Sequence, residues 1–294
     1  MVFGLSLNFI TPITNTKPPV KPLLFISFIY ILCFIGVELK AQKDSLPEEY
    51  DLAKDAYWEG NYNEAETLFI KHLKWLDDHP QKDKTRRIKT LTKLGDTYRH
   101  LRLFHKSLEY YGQAMQLAKT DDRYKEWYLD AANNRSYVYS KMFEPLKAIE
   151  ETNALMPITA EFFGEESSDY ANLHMNNGID YYKTGDFYRS TQAFLQALAI
   201  FRNVSEPDSE DFNRIYNNLG GNYRKVGDYE KALEYAEKAL EIKLKNYPPD
   251  HPSVAKYHMN IGKVYADMGE PEKALPFLER ALEIEQIHYP DDHP

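Results

Sequence analysis

An all-α, right-handed superhelical solenoid of stacked two-helix repeats is the fold this sequence predicts, on three observations. The chain repeats itself every 42 residues, its small and apolar residues recur at helical spacing within each period, and its composition offers no other framework. The segments 175–200, 216–242 and 258–284 align without gaps at their key positions. Gly178, Gly220 and Gly262 are 42 apart, and so are Tyr181, Tyr223 and Tyr265, Gly185, Gly227 and Gly269, and Ile200, Ile242 and Ile284. A weaker copy lies one period earlier at Asn134, Ser136, Tyr139 and Leu155. Two more precede it, one with Leu94, Gly95, Tyr98, Leu108, Tyr111 and Ala114, the other with Ala53, Ala56, Gly60, Tyr62, Ala65 and Phe69.

Each copy reads as a helical hairpin. Gly220, Tyr223 and Val226 follow one helical stripe, and Ala232, Leu233, Ala236, Ala239 and Leu240 follow a second. Gly227-Asp228 breaks the pattern between them and predicts a tight turn. Small residues such as Gly220 and Ala232 let the two helices approach, while Tyr223 and Leu240 fill the space between repeats. One hairpin cannot bury its apolar faces alone, so neighbours must stack.

The pattern L-G-x-x-Y, then G-x-Y/F-x-x-A, then A-L resembles the tetratricopeptide repeat, whose usual unit has about 34 residues. The 42-residue period, with N-N-L-G and Y-P-x-D-H-P joining the units, is similar to the longer variant of kinesin light chains. The resemblance runs from about residue 46 to 294 and is weakest at 129–156, where Ser136 and Phe143 replace two expected glycines. It implies six repeats within 42–294 and a concave groove lined by the first helix of each hairpin. It also implies that an Asn two residues before the small packing residue grips the backbone of a bound peptide. This sequence has that residue at Asn134, Asn176, Asn218 and Asn260. The alternative for each is an amide bonded only to a neighbouring helix. The implied groove positions of repeats two to six carry ten basic residues: Lys89, Lys93, Arg99, Lys141, Lys183, Arg214, Arg224, Lys225, Lys256 and Lys263. They carry three acidic ones, Asp96, Asp130 and Asp267. An acidic protein or peptide segment is therefore the expected partner, with Arg214, Arg224 and Lys225 as its densest basic contact; simple solubilising lysines and arginines are the other reading.

Residues 1–41 stand apart. Lys17 and Lys21 precede a 15-residue apolar run, Leu23–Val37, which is short for a bilayer span and suits a signal-peptide core. Cleavage is expected after Ala41; an uncleaved anchor over 23–37 is the alternative, and the only route by which a membrane would be a partner. The predicted location is exported, periplasmic or extracellular. Removing 1–41 takes away Lys17, Lys21 and Lys40 and one acid, Glu38, leaving 33 basic and 44 acidic side chains, a formal −11. So acidic a surface argues against nucleic acid as a partner. Cys33, the single cysteine, lies within the apolar run, so disulfides, a thiolate metal cage and a Cys nucleophile are excluded from the remainder.

No nucleotide-binding, nucleophile-elbow or metalloprotease motif is present, and neither a catalytic site, a metal nor a cofactor is expected. His72, His100 and His105 read as polar helix positions, His251 and His293 as linker residues, and Glu165-Glu166 and Asp291-Asp292 as loop charges. At the end of the sequence HYPDDHP (288–294) repeats NYPPDHP (246–252), which in the earlier copy leads into another helix. More repeats beyond residue 294 are expected on that ground, and an effector domain with them. Arrays of this kind resemble the front halves of caspase-like (CHAT) peptidase proteins, sensor kinases and helix-turn-helix regulators. The two functions left open are a non-catalytic scaffold and the recognition region of a larger exported enzyme or signalling protein.

Overall fold

The structure, a computed structural model, describes residues 48–79, 83–119, 121–206 and 208–288. The leader read at 1–41 and the repeated linker at 289–294 lie outside the described residues. Among the described residues the chain is a right-handed, all-helical solenoid of twelve α-helices in six consecutive pairs, without strands. The pairs are α1 (Glu49–Trp58) with α2 (Tyr62–Asp78), α3 (Lys84–His100) with α4 (Phe104–Ala118), and α5 (Lys125–Lys141) with α6 (Pro145–Phe163). They continue with α7 (Ser168–Thr184) and α8 (Phe187–Val204), α9 (Glu210–Val226) and α10 (Tyr229–Asn246), and α11 (Pro252–Asp267) and α12 (Pro271–His288). Among these residues no helix is long and apolar enough to cross a membrane.

The turn inside each pair has one chemistry. Gly227 adopts φ 80°, its N–H donates to the Arg224 carbonyl, and Asp228 then caps α10 by accepting from the Lys231 N–H. Gly60, Gly185 and Gly269 repeat the left-handed conformation, and so do Arg102 and Phe143, both at φ 59°. The stacked architecture forces the backbone of the middle repeats into the same turn even where glycine is missing. A left-handed L-residue costs about 1–2 kcal/mol. Phe143 is also 87% exposed, so its side chain contributes little packing. Phe143→Gly is expected to raise stability by about 0.5–1 kcal/mol after the added freedom of the unfolded chain is subtracted. Urea titration followed by circular dichroism would show it; a less stable variant would contradict the strain argument.

Within a pair, the small residue of the first helix receives a large one from the second. A Cβ on Gly178 would fall 2.7 Å from the Phe194 ring, and one on Gly95 would fall 2.5 Å from the Tyr111 ring. Between pairs, Leu240 packs against Val254, Ala255, Ala281 and Ile284 of the sixth repeat. The first helices of successive pairs also touch one another, which places α3, α5, α7, α9 and α11 side by side on one face.

One expectation is corrected here. His72 is not at a polar position but fully buried, between the Tyr50 ring at 5.2 Å and the Trp75 ring at 6.1 Å. Neither ring nitrogen has a hydrogen-bond partner among the described residues. The apolar positions around it, including Phe69 and Leu76, turn that face of α2 inward, and the imidazole follows. Burial, and secondarily the Arg86 charge, pushes its pKa below the ordinary histidine value, against smaller opposing effects of Glu49 and Asp51. His174 and His258 are lowered too, chiefly by burial. A lowered folded-state pKa means that the unfolded chain binds the proton more readily. Stability is thus fully present above about pH 6.5, the unfolded value, and falls as the pH drops toward the folded one. The melting temperature is expected to decline on acidification below that point, and less steeply in His72→Phe. Equal slopes in the two proteins would exclude His72 as a contributor.

Candidate peptide-binding groove

Three depressions lie along the face built by the first helices. The largest, of about 380 Å³, opens between α7, α9 and α11 and is lined by Tyr182, Lys183, Asn217, Asn218, Arg224 and Asn260 among others. A second, of about 280 Å³, lies against α5, α6 and α7 with Glu126, Asp130 and Asp169 on its wall. A third, of about 240 Å³, links α3 to α9 through Arg99, Asn134, Tyr137, Asn176 and Arg214.

The four asparagines expected to grip a peptide reach this face but do not share one role. Asn176 Nδ2 donates to Asn133 Oδ1 at 3.0 Å, and Asn260 Nδ2 donates to Asn217 Oδ1 at 2.8 Å. These bonds cross from one first helix to the previous one. Asn134 Nδ2 instead donates to Asp130 Oδ1, 3.0 Å away on its own helix. Only Asn218 among the four makes no side-chain hydrogen bond within the described residues. The reason is legible in the period: where repeats three and five carry Asn133 and Asn217, repeat four carries Met175, a buried side chain that offers no amide. Asn176 and Asn260 thus show the alternative arrangement, an amide bonded to a neighbouring helix, while Asn134 bonds within its own helix and Asn218 has no such partner. Asn133 and Asn217 were missed, although their identical place in alternate repeats was available as a signal.

The repeat architecture agrees with direct comparison. Residues 211–286 and residues 88–121 each match a family model described as tetratricopeptide repeat. Those two stretches are tetratricopeptide repeats. Among solved structures, BtubC (BKLC) from P. vanneervenii is similar at a TM-score of 0.66 and 22% identity, over 78% of this chain and 91% of that one. The nearly identical TPR-like repeats of a Podosopora anserina kinesin light chain give 0.60 and 18%, over 72% and 100%. The Rap conjugation gene regulator of plasmid pLS20, solved in complex with the Phr* peptide, gives 0.55 and 16%, over 82% and 74%. At these identities the likeness is one of fold. No curated protein matches the chain in sequence.

The charge of the tetratricopeptide repeat groove is more balanced than the residue count implied. Lys93 pairs with Asp96 at 2.8 Å, Lys183 with Asp180 at 3.2 Å, Arg224 with Asp267 at 2.6 Å, and Arg214 with Asp211 at 4.0 Å. Asp180 was not counted as a groove acid, yet it is buried beside Lys183 and accepts a hydrogen bond from Ser140. Burial pushes its pKa up against those two partners, and burial together with the Asp96 charge does the same to Asp130. Arg99 is held by its surroundings, with the Tyr137 ring 5.6 Å away. Lys89 lies 5.1 Å from the Trp127 ring, Lys141 lies 5.0 Å from the Tyr137 ring, and Lys256 lies 4.8 Å from the Tyr257 ring. Lys225 and Lys263 have no ion pair or ring contact among the described residues. Lys89, Lys141, Lys225, Lys256 and Lys263 therefore keep their positive charge without a partner carboxylate among the described residues, whereas Arg214 and Arg224 each have one.

Proposed function

We propose that this tetratricopeptide repeat protein is a non-catalytic interaction scaffold whose groove holds an extended or helical protein segment of acidic character. The observation that carries the reading is the depression between α7, α9 and α11. It joins apolar surface from Ile179 and Val264 to the unbonded amide of Asn218, on helices that also bear Lys225, Lys256 and Lys263. An amide that both donates and accepts matches a peptide bond without reading side chains. The Rap regulator of the same fold, which holds a peptide, supports a polypeptide as the ligand class. A peptide array probed with the full chain tests the proposal: acidic segments should be retained over basic ones of equal length. Equal retention would remove the charge preference, and no retention of any segment would remove the groove as a peptide site.

Export is part of the same proposal, because only the leader at 1–41 addresses location. N-terminal sequencing of the secreted protein should read from Gln42. A sequence starting at Met1 on a membrane-bound protein would establish the anchor instead.

A further inference from the structure

The six repeats share one packing position, sixteen residues after the small residue of the first helix. It is occupied by Phe69, Tyr111, Thr152, Phe194 and Leu278 in five of them, and by Ala236 in the fifth. In repeat three the smaller Thr152 meets Ser136 by hydrogen bond, so the pair still fills its space. In repeats two, four and six a ring or isobutyl group lies directly against the glycine. Repeat five alone combines Gly220 with alanine, and the largest depression of the groove is lined by those two residues together with Gly221, Phe194 and Val264. The missing side chain has not been compensated by a closer helix. The backbone of α10 approaches Gly220 with the Ala232 carbonyl 3.2 Å from a built Cβ, and α12 approaches Gly262 almost equally, at 3.3 Å for Ala274, with Leu278 still accommodated.

We propose that this hole is an anchor site: a bulky apolar side chain of the bound segment, leucine or phenylalanine, enters between α9 and α11 and takes the place that Phe194 or Leu278 fills in the sister repeats. The inference rests on the scaffold reading and adds to it the side chain that is recognised. The sister repeats define the size of the occupant, because the same backbone frame already holds a phenyl or an isobutyl group there. The surroundings define what flanks it. Asn218 lines the depression and is free to bond the main chain next to the anchor, and the helices α9 and α11 that flank it carry Lys225 and Lys263, next in sequence to the lining residues Arg224 and Val264, favouring carboxylates on the neighbouring residues. Lys183 and Arg224 also line the depression but are already matched by Asp180 and Asp267, so they shape the rim rather than add net charge.

The test uses the full chain and three end-blocked peptides, Asp-Glu-Xaa-Asp-Glu with Xaa alanine, leucine or phenylalanine, titrated by fluorescence anisotropy. The leucine and phenylalanine peptides should bind about tenfold or more tightly than the alanine peptide, the effect of burying one such side chain. Ala236→Leu, copied from repeat six, fills the hole; it should erase that difference while leaving the helical circular-dichroism spectrum unchanged. Ala236→Phe, copied from repeat four, provides the same closure should the leucine variant fail to fold. If the three peptides bind the unaltered protein equally, the anchor is wrong and the acidic scaffold stands. A leucine preference that survives in the filled variants places the apolar contact elsewhere and also overturns the anchor. If none of the peptides binds, the anchor and the acidic-scaffold reading fall together.

Discussion

Tyr111→Ala is expected to destabilise the protein by about 3–5 kcal/mol, the usual cost of truncating a fully buried aromatic residue. Tyr111 is fully buried and lies over Gly95, so the glycine leaves room for the ring and nothing else can fill that room when the ring is gone. Its hydroxyl donates to Asp96 Oδ1 at 2.6 Å, and burial, followed by the Asp96 charge, pushes the phenol pKa well above its ordinary value. Asp96 is itself buried and is the partner of Lys93. Tyr111→Phe removes only the hydroxyl and leaves the carboxylate one donor short, at a cost of about 1–3 kcal/mol. The two variants therefore separate packing from hydrogen bonding in the same place. Urea unfolding followed at 222 nm should rank them wild type, Tyr111→Phe, Tyr111→Ala; an alanine variant no worse than the phenylalanine one would mean that the Gly95–Tyr111 contact is not a principal support of repeat two.

The same pair shows how much a sequence of this kind discloses. Gly95 and Tyr111 stood out through the repeat period, and so did the hairpins, the turn at Gly227-Asp228 and the stacking order, because packing between adjacent helices imposes a spacing that can be counted. Hydrogen bonds between successive first helices leave a fainter trace. Asn176 and Asn260 looked identical to Asn218, and their different use depends on whether the previous repeat offers Asn133, Asn217 or Met175. That is a relation between two repeats rather than a feature of either. The count of groove charges left out two acids for a similar reason: Asp180 and Asp211 sit within reach of Lys183 and Arg214 through side-chain direction, which spacing from the packing residue alone does not give. His72 was misplaced because a polar residue type was read as an exposed position, whereas the apolar residues around it decide which way its face of α2 turns. Ala236 was seen as one more small residue of a helical stripe, and its meaning appears only beside the larger residues that occupy the same position in the other repeats.

Reversing Arg224 and Lys225 to glutamate is expected to weaken an acidic segment by roughly tenfold or more, since at Lys225 an attractive contact of about 1 kcal/mol in a solvent-exposed setting becomes repulsive, and at Arg224 a new carboxylate joins an Asp267 left without its partner. The fold should survive. The Arg224–Asp267 pair at 2.6 Å is partly exposed on both sides, and such pairs contribute about 0–1 kcal/mol. Arg224 is the harder of the two to interpret, because its loss also releases Asp267 into the groove and places a second carboxylate near the ligand. Exchanging the charges, with Arg224→Asp and Asp267→Arg together, restores the pair and keeps the local net charge while moving the cation to α11. If net charge alone governs recognition, this exchange should bind acidic peptides nearly as well as the unaltered protein; if the guanidinium at 224 meets the ligand directly, it should not. Lys225→Glu alone has no such ambiguity, since Lys225 has no ion pair among the described residues, and it should lower acidic-peptide affinity at low salt more than at high salt. Asn218→Ala completes the set: it should weaken peptides of any charge by about 1 kcal/mol, the worth of one neutral hydrogen bond. Titrations at low and high salt would separate the two contributions. An Asn218 effect that changed with peptide charge, or a Lys225 effect that did not, would show that backbone grip and charge preference have been assigned to the wrong side chains.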